Sequence, residues 1–179
     1  MGKASQKNGL AKPVVVAWLT PIEQMSGDSK KDTLLLKEMA GEAREFLLSF
    51  KWCRNIRRSW FGWGVGGVCA VFFFEIDRSS KKVDQWLWVI VGDLPPAYLV
   101  VDASPTPLAA LANYVDLMQE WADAVKDKRP VKDCIPVNAP ATREYADLLQ
   151  RRLDFIRKEF LTAKPRARRK HGTDGIGAR

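Results

Sequence analysis

A chain of 179 residues, 46% apolar and 10% aromatic, is long enough to bury one substantial core and too short for two independent ones. Its formal charge of +8 is carried by the ends: Lys3, Lys7 and Lys12 without an acid in residues 1–12, and six Lys or Arg against Asp174 in residues 163–179. The stretch between them balances, which excludes a globally basic nucleic-acid-binding body, and no apolar run reaches the ~18–20 residues of a membrane-spanning helix.

In chain order, residues 1–12 are polar and basic, and ordering them would cost about 1–2 kcal/mol of backbone entropy per residue with little burial to offset it; a disordered tail is expected. The single domain is expected over residues 13–162. Val14 to Leu19 is too short for a signal-peptide core and runs into Thr20-Pro21, so the chain is expected to stay in the cytoplasm. The same six residues fit a short strand or a buried turn. Ser29-Lys30-Lys31-Asp32 is a capping pattern, and Leu35, Met39, Phe46, Leu47 and Phe50 recur on one face behind it. That spacing predicts a helix from about Lys31 to Lys51, with Gly41 inside it at a cost of roughly 1 kcal/mol relative to Ala.

The next segment interleaves Trp52, Arg54, Arg57, Arg58, Trp60, Phe61 and Trp63. Guanidinium groups beside indole rings suit stacking and the clamping of carboxylate or phosphate, and Arg and Trp are enriched among interface hot spots. Trp52, Arg54, Arg57, Arg58, Trp60 and Trp63 are therefore the candidate binding residues. Gly62, Gly64 and Gly67 formally satisfy G-x-G-x-x-G, but that fingerprint holds a dinucleotide only where the glycines follow a strand and open a helix. Here a strand pattern follows them, so no dinucleotide site is expected.

Val65 to Asp77 and Val83 to Gly92 are rich in β-branched and aromatic residues and are joined by the polar Arg78 to Lys82, which predicts an antiparallel pair. Both faces of each are apolar, so both need cover, and helices are the available cover. A third strand, Ala97 to Val101, follows the turn Gly92-Asp93-Leu94-Pro95-Pro96. Ser104-Pro105-Thr106-Pro107 then supplies a cap residue and a proline suited to the first turn of a helix with Leu108, Leu111, Val115, Met118, Ala122 and Val125 at alternating threes and fours, a stripe that Tyr114 and Trp121 flank and widen. After Pro130, Pro136 and Pro140, Thr142 caps a last helix bearing Tyr145, Leu149, Leu153, Ile156 and Phe160. Grouped strands between helices give the α+β class, with a small antiparallel sheet of about three strands covered by about three helices. Residues 163–179 form the second basic tail, where Lys164, Arg166, Arg168, Arg169 and Lys170 are the densest cluster and the candidate nucleic-acid contact.

Trp88 to Tyr98, followed by the proline-started helix from Pro107, resembles a family of uncharacterised bacterial proteins in which a Trp-bearing strand ends in Gly-Asp-Leu-Pro. The resemblance implies a bacterial or phage-related origin and the order strand, turn, strand, helix; it carries no activity. Gly92, Asp93, Pro95 and Tyr98 are its matching turn residues. By their own chemistry, Gly92 admits an unusual turn conformation, Asp93 caps local amides and Pro95 stiffens the exit.

Catalytic signals are sparse. The one histidine, His171, lies in the tail, and Cys53, Cys69 and Cys134 are too scattered to build a zinc centre or a disulfide framework. Glu75, Asp77, Asp93 and Asp102 stand at predicted strand ends, where convergence would permit acid-base or metal chemistry. The residues point first to a non-enzymatic protein-binding or regulatory protein of the cytoplasm, bacterial as the resemblance implies, with no cofactor and no metal. Nucleic-acid binding through the tails and an enzyme using sheet-edge carboxylates are the alternatives.

Overall fold

The capping signals act where the sequence places them. Ser29 Oγ accepts the Asp32 amide at 3.0 Å and opens α1 (Lys30–Leu48). Thr106 Oγ1 accepts the Ala109 amide at 3.1 Å, with Pro107 in the first turn of α2 (Pro107–Lys126). Thr142 does the same for Tyr145 at the head of α3 (Arg143–Ile156), which continues into a π turn at Arg157–Leu161. These caps satisfy amides that have no partner within their own helix.

The computed structural model describes residues 14–162; the two basic tails, with Lys164 to Lys170 and His171, lie outside the described residues. Val14–Trp18 is a 3-10 turn, which settles the alternatives left by the sequence. The sheet has five strands rather than about three: β1 (Thr20–Pro21), β2 (Cys53–Val65), β3 (Cys69–Arg78), β4 (Trp86–Gly92) and β5 (Ala97–Val100). All are antiparallel, in the order β1-β2-β3-β4-β5. The α+β class stands, and the main correction is β2: the Arg/Trp segment is itself a long strand that ends at Val65, where the expected strand was to begin, and β3 starts only at Cys69.

Both faces of the central strands are buried, as their continuous apolar runs require. Phe72, Phe74 and Ile76 of β3 and Leu87, Val89 and Val91 of β4 meet Leu36, Met39, Ala43 and Leu47 of α1. On the other face Val71, Phe73, Trp86, Trp88 and Ile90 meet Leu111, Val115 and Met118 of α2, which carries α3 with Leu149 and Leu153 behind it. In α1 the buried stripe runs through Leu36, Ala40 and Ala43 rather than Leu35 and Phe46, which are half-buried. In α2, Leu108 is 44% exposed and so falls outside the stripe, while Tyr114 and Trp121 are buried and widen it as expected.

Of the G-x-G-x-x-G glycines, Gly62 and Gly64 serve packing and Gly67, at φ +74°, serves the turn, with Gly66 packed beside it. A Cβ on Gly64 would stand 2.7 Å from the Ala70 Cβ and 3.0 Å from Leu36 Cδ2, and one on Gly66 would meet Asp32 and Leu35 at 2.7 Å. The Gly66 amide donates to Asp32 Oδ1 at 2.7 Å, locking the β2–β3 turn to the first turn of α1. No helix follows these glycines, so the geometry that cradles a pyrophosphate is absent from this segment.

Candidate functional site

The irregular spacing of the Arg/Trp strand has a physical cause in its ladder with β3. Register shifts fall between Cys53 and Asn55, between Ile56 and Arg58, and between Phe61 and Trp63. Arg54, Arg57 and Gly62 are therefore the extra residues of β-bulges, which twist a strand and re-aim its side chains. Bulging places three arginines on the outer side of the sheet while Cys53, Ile56 and Trp60 stay buried.

Two of these arginines are held from below. Arg57 Nε donates to Asp77 Oδ1 at 2.5 Å, and Arg58 Nε donates to Glu75 Oε2 at 2.6 Å. Glu75 is 4% exposed; its other oxygen accepts from Gln85 Nε2 at 3.0 Å, so the buried carboxylate is satisfied on both sides. The Arg58 guanidinium also lies over the rings of Trp60 and Trp86, 5.6 and 6.0 Å from their centroids, within cation–π range. Only Nε of each arginine is engaged; the Nη groups make no hydrogen bond to the described residues. The indole N–H of Trp86 is buried with no acceptor among them.

A groove of about 450 Å³ runs along this edge, lined by Pro21, Glu23, Arg44, Ile56, Arg57, Arg58, Ser59 and Trp60. It exists because β1 is so short: Thr20 and Pro21 pair only with Phe61 and Trp60. Toward Cys53 the outer edge of β2 has no strand partner among the described residues. Among the described residues, Arg44 and Arg54 have no carboxylate within ion-pair distance.

The tryptophans of the segment separate. Trp60 is buried in the α2-side core, and Trp63 packs edge-on against Phe160 at 4.9 Å. Trp52 turns to the α1 side, where it stacks on Phe50 at 4.9 Å and meets the Tyr98 ring at 5.0 Å. The six candidate residues thus do not share one surface: the arginines form the edge, and the rings close the two cores.

The Gly-Asp-Leu-Pro turn is tied into the fold at Gly92, Asp93 and Pro95. Gly92 has φ +145°, in the region that favours glycine, and an added Cβ would collide with the Val68 carbonyl. Asp93 pairs with Arg152 of α3 at 2.9 Å instead of capping local amides. The Pro95 carbonyl accepts from Tyr114 Oη at 2.6 Å, and burial raises that phenol well above its ordinary range. Nothing in the residues around this turn announced Tyr114 or Arg152 as its partners, because both come from distant helices.

The four acidic candidates do not gather. Glu75 and Asp77 stand at one end of β3, paired with arginines; Asp93 follows Gly92, whose ladder partner Cys69 begins β3 at its opposite end. At ~3.3 Å per residue that separation is on the order of 20 Å. Asp102 is exposed in the turn after β5. Among the described residues no group of three or more His, Cys, Asp or Glu side chains is placed to hold a metal, and no helix is long and apolar enough to cross a membrane. Comparison with models of known protein families, with curated proteins and with solved structures finds no match for this chain.

Proposed function

We propose that the protein is a non-enzymatic binding module of the bacterial cytoplasm that recognises another protein through the arginine-bearing outer edge of β2. One observation carries this reading: Arg57 and Arg58 are held by carboxylates through Nε, their side chains are half exposed, and their Nη groups have no hydrogen-bond acceptor among the described residues. A guanidinium whose rotamers are restrained before contact loses less entropy on binding.

The test is the double variant Arg54→Ala/Arg57→Ala. Both side chains are exposed, so folding should change by no more than about 1 kcal/mol. Affinity capture from the native host, quantified by mass spectrometry, should recover a protein with the wild-type chain and lose most of it with the variant. Recovery unchanged by the variant would remove this edge as the contact.

A further inference from the structure

The chemistry of the β2 edge selects its partner, and this step rests on the protein-binding reading above. The edge combines an unpaired strand backbone, a groove beside it, and Arg44, Arg57 and Arg58 on the groove walls with Glu23 as the single acid lining it. β1 shows that the edge accepts an antiparallel neighbour, since Pro21 and Thr20 already pair with Trp60 and Phe61. Beyond Pro21 the chain leaves the ladder as a 3-10 turn, Ile22–Gln24, that still touches β2, and among the described residues no strand pairs with this edge from Ser59 to Cys53. A second copy of the same edge would bring arginine against arginine, and a plain apolar strand would leave the Nη donors without acceptors; both are disfavoured. Carboxylates meet both requirements, because each can accept two parallel N–H bonds from a guanidinium.

We infer that the groove receives an extended, acidic segment of another protein, laid beside β2 with its carboxylates on the Nη forks of Arg57 and Arg58 and on Arg44. The bulges at Arg54 and Arg57 interrupt the regular ladder, so the ion pairs, rather than a long run of backbone bonds, dominate the affinity. Binding then weakens as salt rises. Because the carboxylates of β3 orient the forks, lysine is no substitute: an ammonium keeps the charge and loses the planar pair of donors.

The experiment uses the full chain and a short fluorescent peptide of alternating Glu and Thr, with a Lys/Thr peptide of equal length and a single-stranded oligonucleotide as comparisons. Anisotropy at low salt should show the acidic peptide bound and the basic one not. Arg57→Lys and Arg44→Gln should each weaken it by about tenfold, the loss of one charge-assisted bidentate contact. Arg44 is exposed on α1 and serves as the variant whose folding is secure. Hydrogen exchange should show new protection at amides between Cys53 and Ser59 when the peptide is present. Absence of binding, binding indifferent to both variants, or tighter binding of the oligonucleotide at these arginines would overturn the inference. A captured protein that depends on Arg54 and Arg57 but is not displaced by the acidic peptide would also overturn it, while leaving the broader protein-binding reading in place.

Discussion

Arg57 and Arg58 are neighbours in the chain, carry the same charge and are equally exposed, at 54% and 53% of their side chains, yet their partners make them unequal. Asp77 is itself 36% exposed and regains water when Arg57 is removed; Glu75, at 6%, does not. Arg57→Ala should therefore cost no more than about 1 kcal/mol. Arg58→Ala should cost more, on the order of 1–3 kcal/mol, because it strands a buried carboxylate and uncovers two indole rings. Urea denaturation of the two variants decides the matter, and equal midpoints would show that Glu75 is not held by Arg58. Restoring the loss with Arg58→Ala/Glu75→Leu would confirm the cause, since removing both charges removes the stranded one.

At the scale of the element, α1 contains a glycine that packing does not require. Gly41 is exposed, and a Cβ added there would meet nothing within 4 Å. Gly41→Ala should stabilise the fold by about 0.5–1 kcal/mol through a less disordered unfolded chain, read as a rise in the urea midpoint at unchanged slope. Elements whose local signals agree were legible in the sequence: the Thr106-Pro107 start of α2, the β3–β4 hairpin, and the need for cover on both faces of its strands. β2 was not, because its buried residues Cys53, Ile56 and Trp60 stand three and four apart once bulges insert Arg54 and Arg57, a spacing that belongs to a helix and not to a strand. The period-2 pattern presumes an uninterrupted ladder, and a bulge erases it from the sequence without erasing the strand. The arginines were visible as a binding candidate for their chemistry; the groove beside them was not, because it depends on β1 stopping at Pro21 and on Arg44 arriving from α1.

At the scale of the whole molecule, the α2-side core encloses two weak acids, Cys69 and Tyr114, whose protons burial holds in place. Burial pushes the Cys69 thiol up to about 12 from an ordinary 9.0 and raises the Tyr114 phenol well above 10.0. The unfolded chain ionises these groups at their ordinary values and the folded chain does not, so the unfolded state binds fewer protons above pH 9. Stability is accordingly full below about pH 9 and falls as pH rises toward 12, by about 1.4 kcal/mol per pH unit from the thiol alone, with Tyr114 adding to the loss above pH 10. Denaturation midpoints measured across this range should decline, and Cys69→Ala should flatten the first part of the decline. A flat wild-type profile between pH 9 and 10 would place Cys69 in contact with water.

From β2 through β5, neighbours in the sheet are also neighbours in the chain, so each pairing closes a short loop, and closure entropy is small for short loops. β1 is the exception. The whole of α1 lies between it and β2, and the reward for closing that longest loop is a ladder of two residues. In kinetic terms this is the pairing that gains least by forming and surrenders least by opening, so brief excursions that lift Thr20 and Pro21 lengthen the free margin of β2 while the hairpins beneath it stay zipped.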